Sequence, residues 1–233
     1  MKTTTLLLIL LLPLLGLTQE STKKKLIYGF SLSPNYSYRT LRYSKDIEYL
    51  VISREEYEHP GLGFNTGVFG RYSILEDFEL ELGLQFSKQT HKFKNVPATD
   101  AIAFVIGTAN TKYNYYFLEL PFRINYKFIN MEKFIVYSSI GASPNILLNS
   151  TEKTRIKYND GSKSKEKNAP ALLLPNRIAF SFLLNVGVGY SLNETMQLRF
   201  EPILRYSITA LSDAPIQQFN YSVGGQFSLT CEL

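Results

Sequence analysis

The segment FLELPFRINYKF, residues 117–128, decides how the chain reads. Leu118, Leu120, Phe122, Ile124, Tyr126 and Phe128 alternate with Glu119, Pro121, Arg123, Asn125 and Lys127. A period of two places alternate side chains on opposite faces of an extended strand, so one face here is apolar and the other polar or charged.

The same alternation recurs along the sequence. It appears in LIYGFSL (26–32), GLGFNTGVFGRY (61–72), DFELELGLQFS (77–87), KFIVYSSIGAS (133–143), RIAFSFLLNVGVGYSL (177–192), TMQLRFEPILRYSI (195–208) and FNYSVGGQFSLTCEL (219–233). With the opening segment these make eight predicted strands and no helix. The connections sort by length. SILED, INMEK and LNET are tight turns, whereas residues 40–60, 91–112 and 149–176, and more briefly 211–218, form the other set. Short turns at one end and long polar loops at the other are the pattern of an antiparallel up-and-down transmembrane barrel.

The two faces then have to be assigned. A water-soluble, lipocalin-like barrel turns its apolar face inward, and a membrane barrel turns it outward. The apolar faces here carry bulk, as in Phe78, Leu80, Leu82, Leu84 and Phe86. The polar faces mix Gly63, Gly67, Gly83, Gly187 and Gly189 with Arg71, Glu79, Glu81, Glu119, Arg123, Arg199 and Glu201. Eight strands enclose a space just wide enough for side chains. Small residues leave room there, and opposite charges can pair. These seven charged residues are therefore the candidate site, a structural charge network inside the lumen. Tyr28, Tyr72, Tyr113, Tyr115, Tyr126, Tyr190, Tyr206 and Tyr221 near strand ends suit the aromatic girdles of such barrels. Pro121 and Pro202 remove ladder donors and call for a bulge or a gap.

Composition narrows the function. The chain is 45% hydrophobic and 19% charged, with sixteen Tyr, sixteen Phe and no Trp. Its formal charge of +5 sits largely in Lys23–Lys25 and in residues 153–167. That distribution is a basic tail and a basic loop, with no basic helix or stacking motif for nucleic acid. The lone Cys231 excludes an internal disulfide. Residues 1–18 read as a secretory signal peptide, with Lys2 before the apolar run Leu6–Leu17. Residues 19–233 are expected to form a single barrel domain.

GFNTGVFGRY, LELGLQFS, YYFLELPFRINYKF and NVGVGYSL resemble the PorT-like outer-membrane β-barrel family of Bacteroidota. The resemblance rests most on Leu118-Glu119-Leu120-Pro121 and Gly187-Val188-Gly189-Tyr190, and extends over essentially the whole chain after the leader. It implies a compact barrel of the bacterial outer membrane, and one branch of that family serves protein secretion and gliding.

No catalytic constellation stands out. His59 and His91 are the only histidines, and both fall in predicted outer loops as solvated residues. Glu79 and Glu81 lie two apart on one face, as a carboxylate pair would. Their ordinary reading is as lumen charges neutralised by Arg199 or Arg123. No zinc-protease spacing or phosphate-binding glycine loop occurs. The triplets at Asn35, Asn149, Asn193 and Asn220 read as chance matches to a glycosylation motif. Residues 101–107, AIAFVIG, are expected to continue the wall above the membrane.

The expectation is thus a non-enzymatic outer-membrane barrel without cofactors or metals, structural or interacting in role, and an accessory to protein export. The alternatives are a barrel binding small solutes or lipid and, behind it, a lipid-modifying enzyme. The expected partners are outer-membrane lipid and other envelope or secretion proteins met through the outer loops.

Overall fold

A computed structural model describes residues 26–48, 56–99, 104–169, 176–212 and 215–232. The expected signal peptide lies outside the described residues. Ten strands make one antiparallel sheet: β1 (Leu26–Arg42), β2 (Glu58–Ser73), β3 (Phe78–Thr99), β4 (Val105–Glu119), β5 (Phe122–Asn130), β6 (Phe134–Tyr158), β7 (Lys163–Ala169), β8 (Ile178–Ser191), β9 (Met196–Ser207) and β10 (Gln217–Glu232). The sheet closes, because β1 pairs with β2 on one side and with β10 on the other. Closure leaves no free sheet edge facing lipid, which could not satisfy its backbone groups.

The ring has eight walls. β4 and β5 pair with the same two neighbours, β3 and β6, and so form one wall interrupted at Leu120–Pro121. The break follows from Pro121, which has no N–H to donate. Its carbonyl still accepts from the Gly83 N–H at 2.9 Å, and the Leu120 N–H donates to Pro144 O at 3.0 Å. Pro202 is accommodated by a gap without a slip. The β8–β9 pairing lapses between Asn185↔Ile203 and Val188↔Phe200 and resumes in the same register, while Pro202 stays paired with Gly225 of β10. β7 stands outside the ring and folds back on the upper part of β6.

The turns β2–β3, β5–β6 and β8–β9 are short, as the sequence implies. The opposite end differs from expectation. Residues 91–99 and 105–112 continue β3 and β4, and most of 149–169 belongs to β6 and β7. Three walls thus rise above the rest where long loops were predicted. Polar, Lys- and Thr-rich strands lack the apolar alternation that marks the buried part. Gly161 makes the β6–β7 turn at φ 85°, a conformation glycine adopts without a Cβ clash. Val105–Gly107 of the apolar patch are wall, and residues 101–103 lie outside the described residues.

The faces are inverted relative to a soluble protein. Leu82 is 61% exposed and Phe30 53%, while Arg71 and Glu201 are fully buried. The apolar belt of β3 and β5 (Phe78, Leu82, Leu84, Phe86, Phe122, Ile124, Tyr126, Phe128) faces outward. Burying a charged lumen inside an apolar shell makes sense only with hydrocarbon outside.

Candidate functional site

The lumen is built of stacked rows of side chains set by strand register. Arg71 of β2 stands directly opposite Glu81 of β3, and Glu81 directly opposite Arg123 of β5. Directly opposed side chains lie close enough to interact, so this row is a ready-made cation–anion–cation ladder. Arg71 Nε donates to Glu81 Oε2, and Arg123 donates to Glu81 Oε1 through Nη2 and, at 2.7 Å, through Nε.

Glu201 on β9 completes the row from across the barrel. It accepts from Arg123 Nη1 at 2.8 Å, Asn185 Nδ2 at 2.9 Å, Gln226 Nε2 at 3.1 Å, Arg71 Nη2 at 3.4 Å and the Tyr137 hydroxyl. Five donors on five different strands converge on one carboxylate. Gly187 and Gly141 leave the space this needs. A Cβ at Gly187 would lie 2.6 Å from Tyr137 Cζ, and one at Gly141 would lie 2.8 Å from Arg123 Cγ.

Below this layer, Glu79 meets Lys127 Nζ at 2.8 Å and Arg199 Nη1 at 3.6 Å. The Arg199 guanidinium lies 4.8 Å from the Tyr137 ring centroid, a cation–π distance that links the two layers. Above it, Glu119 accepts from the Ser87 hydroxyl at 2.5 Å and from Asn65 Nδ2 at 2.8 Å. Glu119 faces the lumen, but its direct partners are a hydroxyl and an amide where a charge across the barrel was expected. The balancing field comes from the buried Arg205, which donates to Gln226 Oε1 at 3.1 Å and Ser33 Oγ at 3.3 Å.

Register brings Arg71, Glu81, Arg123 and Glu201 into one cluster. Glu79 and Arg199 sit in a second, and Glu119 stands apart. Sequence reasoning passed over Arg205, Lys127, Tyr137, Arg39 and Glu58. Three of these carry a usable signal, and Glu58, ahead of the apolar alternation of its strand, carries none. Arg205 is in phase with Arg199 and Glu201, and Lys127 with Arg123. Arg39 follows Ser31, Ser33, Asn35 and Ser37 in step, and pairs with Glu58 of β2 at 2.5 and 3.0 Å. Tyr137 carried none, since a Tyr in phase with Ile135 reads as lipid-facing.

Toward the outer end an apolar cluster of Phe117, Tyr115 and Leu211 covers the charged rows. Leu211 comes from the β9–β10 connection, where its N–H donates to Gln218 O at 2.7 Å. Beside it lies His91, which corrects the expectation of a solvated loop histidine. It is 3% exposed on β3 and stacks on Tyr113 and Tyr115 at ring-centroid distances of 5.0 and 5.5 Å. Burial, and then the Arg39 guanidinium, hold its pKa well below the ordinary imidazole value. Its single-strand context looked like a loop because Lys92 and Lys94 break the apolar alternation. His59 also lies in a strand, near the start of β2. Among the described residues no group of three His, Cys, Asp or Glu is arranged to hold a metal.

The chemistry available here is electrostatic cross-linking. Each buried carboxylate of the central row is engaged by guanidinium, amide or phenol donors, which locks opposite walls together and fills the lumen at that height.

The closed, inverted eight-walled ring defines a transmembrane barrel. The chain belongs to the outer membrane protein beta-barrel domain family, whose model matches residues 18–215, and it is a protein of the outer membrane. No curated protein matches the sequence. Among solved structures it is similar to Neisserial surface protein A, with 10% identity, coverage of 88% of this chain and 95% of that one, and a TM-score of 0.41. It is also similar to the outer-membrane protease OmpT of Escherichia coli (9%, 93% and 100%, 0.43) and to OprG of Pseudomonas aeruginosa (11%, 90% and 95%, 0.37).

Proposed function

We propose that the protein is a non-enzymatic barrel that offers its raised outer wall to other envelope proteins, as an accessory to protein export of the PorT-like kind. The carrying observation is the filled lumen. A layer of Arg71, Glu81, Arg123 and Glu201 crosses it, and Phe117, Tyr115 and Leu211 cover that layer from outside. A barrel sealed in this way is unsuited to solute passage and directs attention to the wall above the membrane. The Leu118–Pro121 and Gly187–Tyr190 motifs support the PorT-like reading. They supply Glu119, the strand break and the space for Tyr137.

The test has two arms. Refolded protein in planar bilayers should show no conductance steps, and a deletion strain should export fewer proteins while keeping normal outer-membrane permeability. Discrete conductance in the native protein, or unchanged export with altered solute uptake, would favour the small-solute reading.

A further inference from the structure

The outward face of the raised wall carries an arrangement that register alone makes unusual. Lys92 of β3 stands directly opposite Lys112 of β4, and Lys112 directly opposite Lys153 of β6. Three like charges in one cross-strand row destabilise a sheet unless something neutralises them. Lys88 lies on the same face, opposite Tyr116. Arg155 and Lys157 are exposed higher on the same face of β6, outside this row. The acidic residues of these strands do not help, because Glu152 and Glu166 fall on the opposite face by register. No ion pair joins Lys88, Lys92, Lys112 or Lys153 to a carboxylate among the described residues. Partial burial, then Lys88, Lys92 and Lys153 in turn, lower the Lys112 pKa. The row is mutually repulsive as it stands.

Beneath it lies a hydrogen-bonded polar row of Thr90, Asn114 and Thr151, and below that the wall turns apolar. Phe86 and Tyr116 stack with ring centroids 6.1 Å apart. A bulge between β4 and β6 at Tyr116/Phe117 pushes Leu148 out of the ladder, where it is 54% exposed. The resulting open groove, of about 670 Å³, is lined by Phe86, Tyr116, Leu148, Asn149, Thr151 and Lys153. It runs from apolar at the membrane side to cationic at the outer side. Lys88 and Lys92 are four positions apart, a rise of about 13 Å along the strand and less along the membrane normal. The headgroup region adds about 5–8 Å on each side of the hydrocarbon, so with Phe86 at the boundary Lys88 falls at headgroup level and the Lys92 row at its outer edge.

We propose that this face is a binding site for a phosphate-bearing lipid of the outer leaflet. An acyl chain lies against Phe86, Tyr116 and Leu148, and the phosphates sit on Lys88, Lys92, Lys112 and Lys153. The anion relieves the lysine repulsion, and the apolar groove below accounts for a lipid in preference to a free anion. The site depends on the outer-membrane placement of the barrel and not on any role in export.

Refolded protein in detergent micelles is titrated with bis-phosphorylated lipid A and with its dephosphorylated counterpart, and retained lipid is read by native mass spectrometry. The phosphorylated form should be retained at far lower concentration. The Lys92→Gln/Lys112→Gln/Lys153→Gln variant should lose that preference by about 100-fold, as expected for removing three lysines from an anionic surface. The control Lys157→Gln/Lys163→Gln, higher on the wall, should change it little. All variants must keep the wild-type shift between unheated and boiled SDS gels, and the substituted side chains face outward, so folding is not at risk. Equal retention of both lipids overturns the proposal, as does unchanged preference in the triple variant. Displacement of the lipid by millimolar inorganic phosphate would mean a simple anion site. Equal binding of soluble heparin without lipid would mean a polyanion surface. Either result also overturns it.

Discussion

Arg123 Nη1 reaches Glu201 Oε2 at 2.8 Å although β5 and β9 are separated by β6 and β8 around the ring. The bond therefore crosses the lumen and ties walls that share no backbone hydrogen bonds. Removing the anion leaves both Arg71 and Arg123 facing Glu81 alone. Glu201→Ala should destabilise the barrel by about 3–5 kcal/mol, the cost of breaking a buried pair from one side. Urea unfolding in lipid, followed by tyrosine fluorescence, measures this. A loss below 1 kcal/mol would mean the row is hydrated and weak.

Glu119→Ala should cost less. Its direct partners are the neutral Ser87 and Asn65, and Arg205, whose charge it balances without contact, keeps its bonds to Gln226 and Ser33, so the loss is about 1–3 kcal/mol. If Glu119→Ala proved more damaging than Glu201→Ala, the assignment of Glu201 as the hub would fail.

Gly187 gives a steric test of the same layer. Its Cβ would sit 2.6 Å from Tyr137 Cζ and 2.9 Å from Glu201 Cγ. Gly187→Val should cost about 1–3 kcal/mol by overpacking. Combining it with Tyr137→Ala should give a strongly non-additive double-mutant cycle, since the two groups share one space. Additive losses would show that the valine is accommodated elsewhere.

The lipid face and the lumen face respond oppositely to arginine. Leu82 is 61% exposed and Gln85 2%. Leu82→Arg should cost about 2–4 kcal/mol near the bilayer midplane. Gln85→Arg escapes that lipid penalty and is limited by lumen space. Refolding yield in vesicles, compared for the two, checks the order.

His91 sets a pH dependence. Its folded pKa is depressed, so below the ordinary value of 6.5 the unfolded chain takes up a proton that the folded one refuses. Stability is therefore full above that value and falls as pH drops below it. The groups facing the ring are Arg39, Tyr113, Tyr115 and Phe93, none of which is acidic. His91→Phe should flatten the stability profile between pH 7 and the acid side while keeping the stack. An unchanged slope would place the titration elsewhere.

The membrane-crossing half of the barrel was legible because hydrocarbon and a narrow lumen impose a strict period of two. DFELELGLQFS shows it without exception, and the orientation of Glu79 and Glu81 follows. The upper half was not, because above the His91–Tyr113 stack both faces of β3, β4 and β6 carry mostly polar, solvent-facing residues. Nothing there forces alternation, so KTRIKY (153–158) reads as loop although it is paired wall. The lumen partners were legible only as far as parity goes. Parity puts Arg71, Glu81 and Arg123 on one face. Pairing Arg123 with Glu201 depends on the height at which β9 is set in the ring, which a single sequence does not carry.

The unequal strand lengths have a consequence for how the molecule sits among its neighbours. β3 and β6 run for 22 and 25 residues, against 14 and 12 for β8 and β9. The rim is therefore lopsided, a tall parapet over one arc and a low sill over the other. A cylinder with such a rim has a compass bearing within the plane of the bilayer. Molecules that reach it over the sill and those that meet the parapet approach different proteins, in shape and in charge, and rotation about the membrane normal decides which one they find.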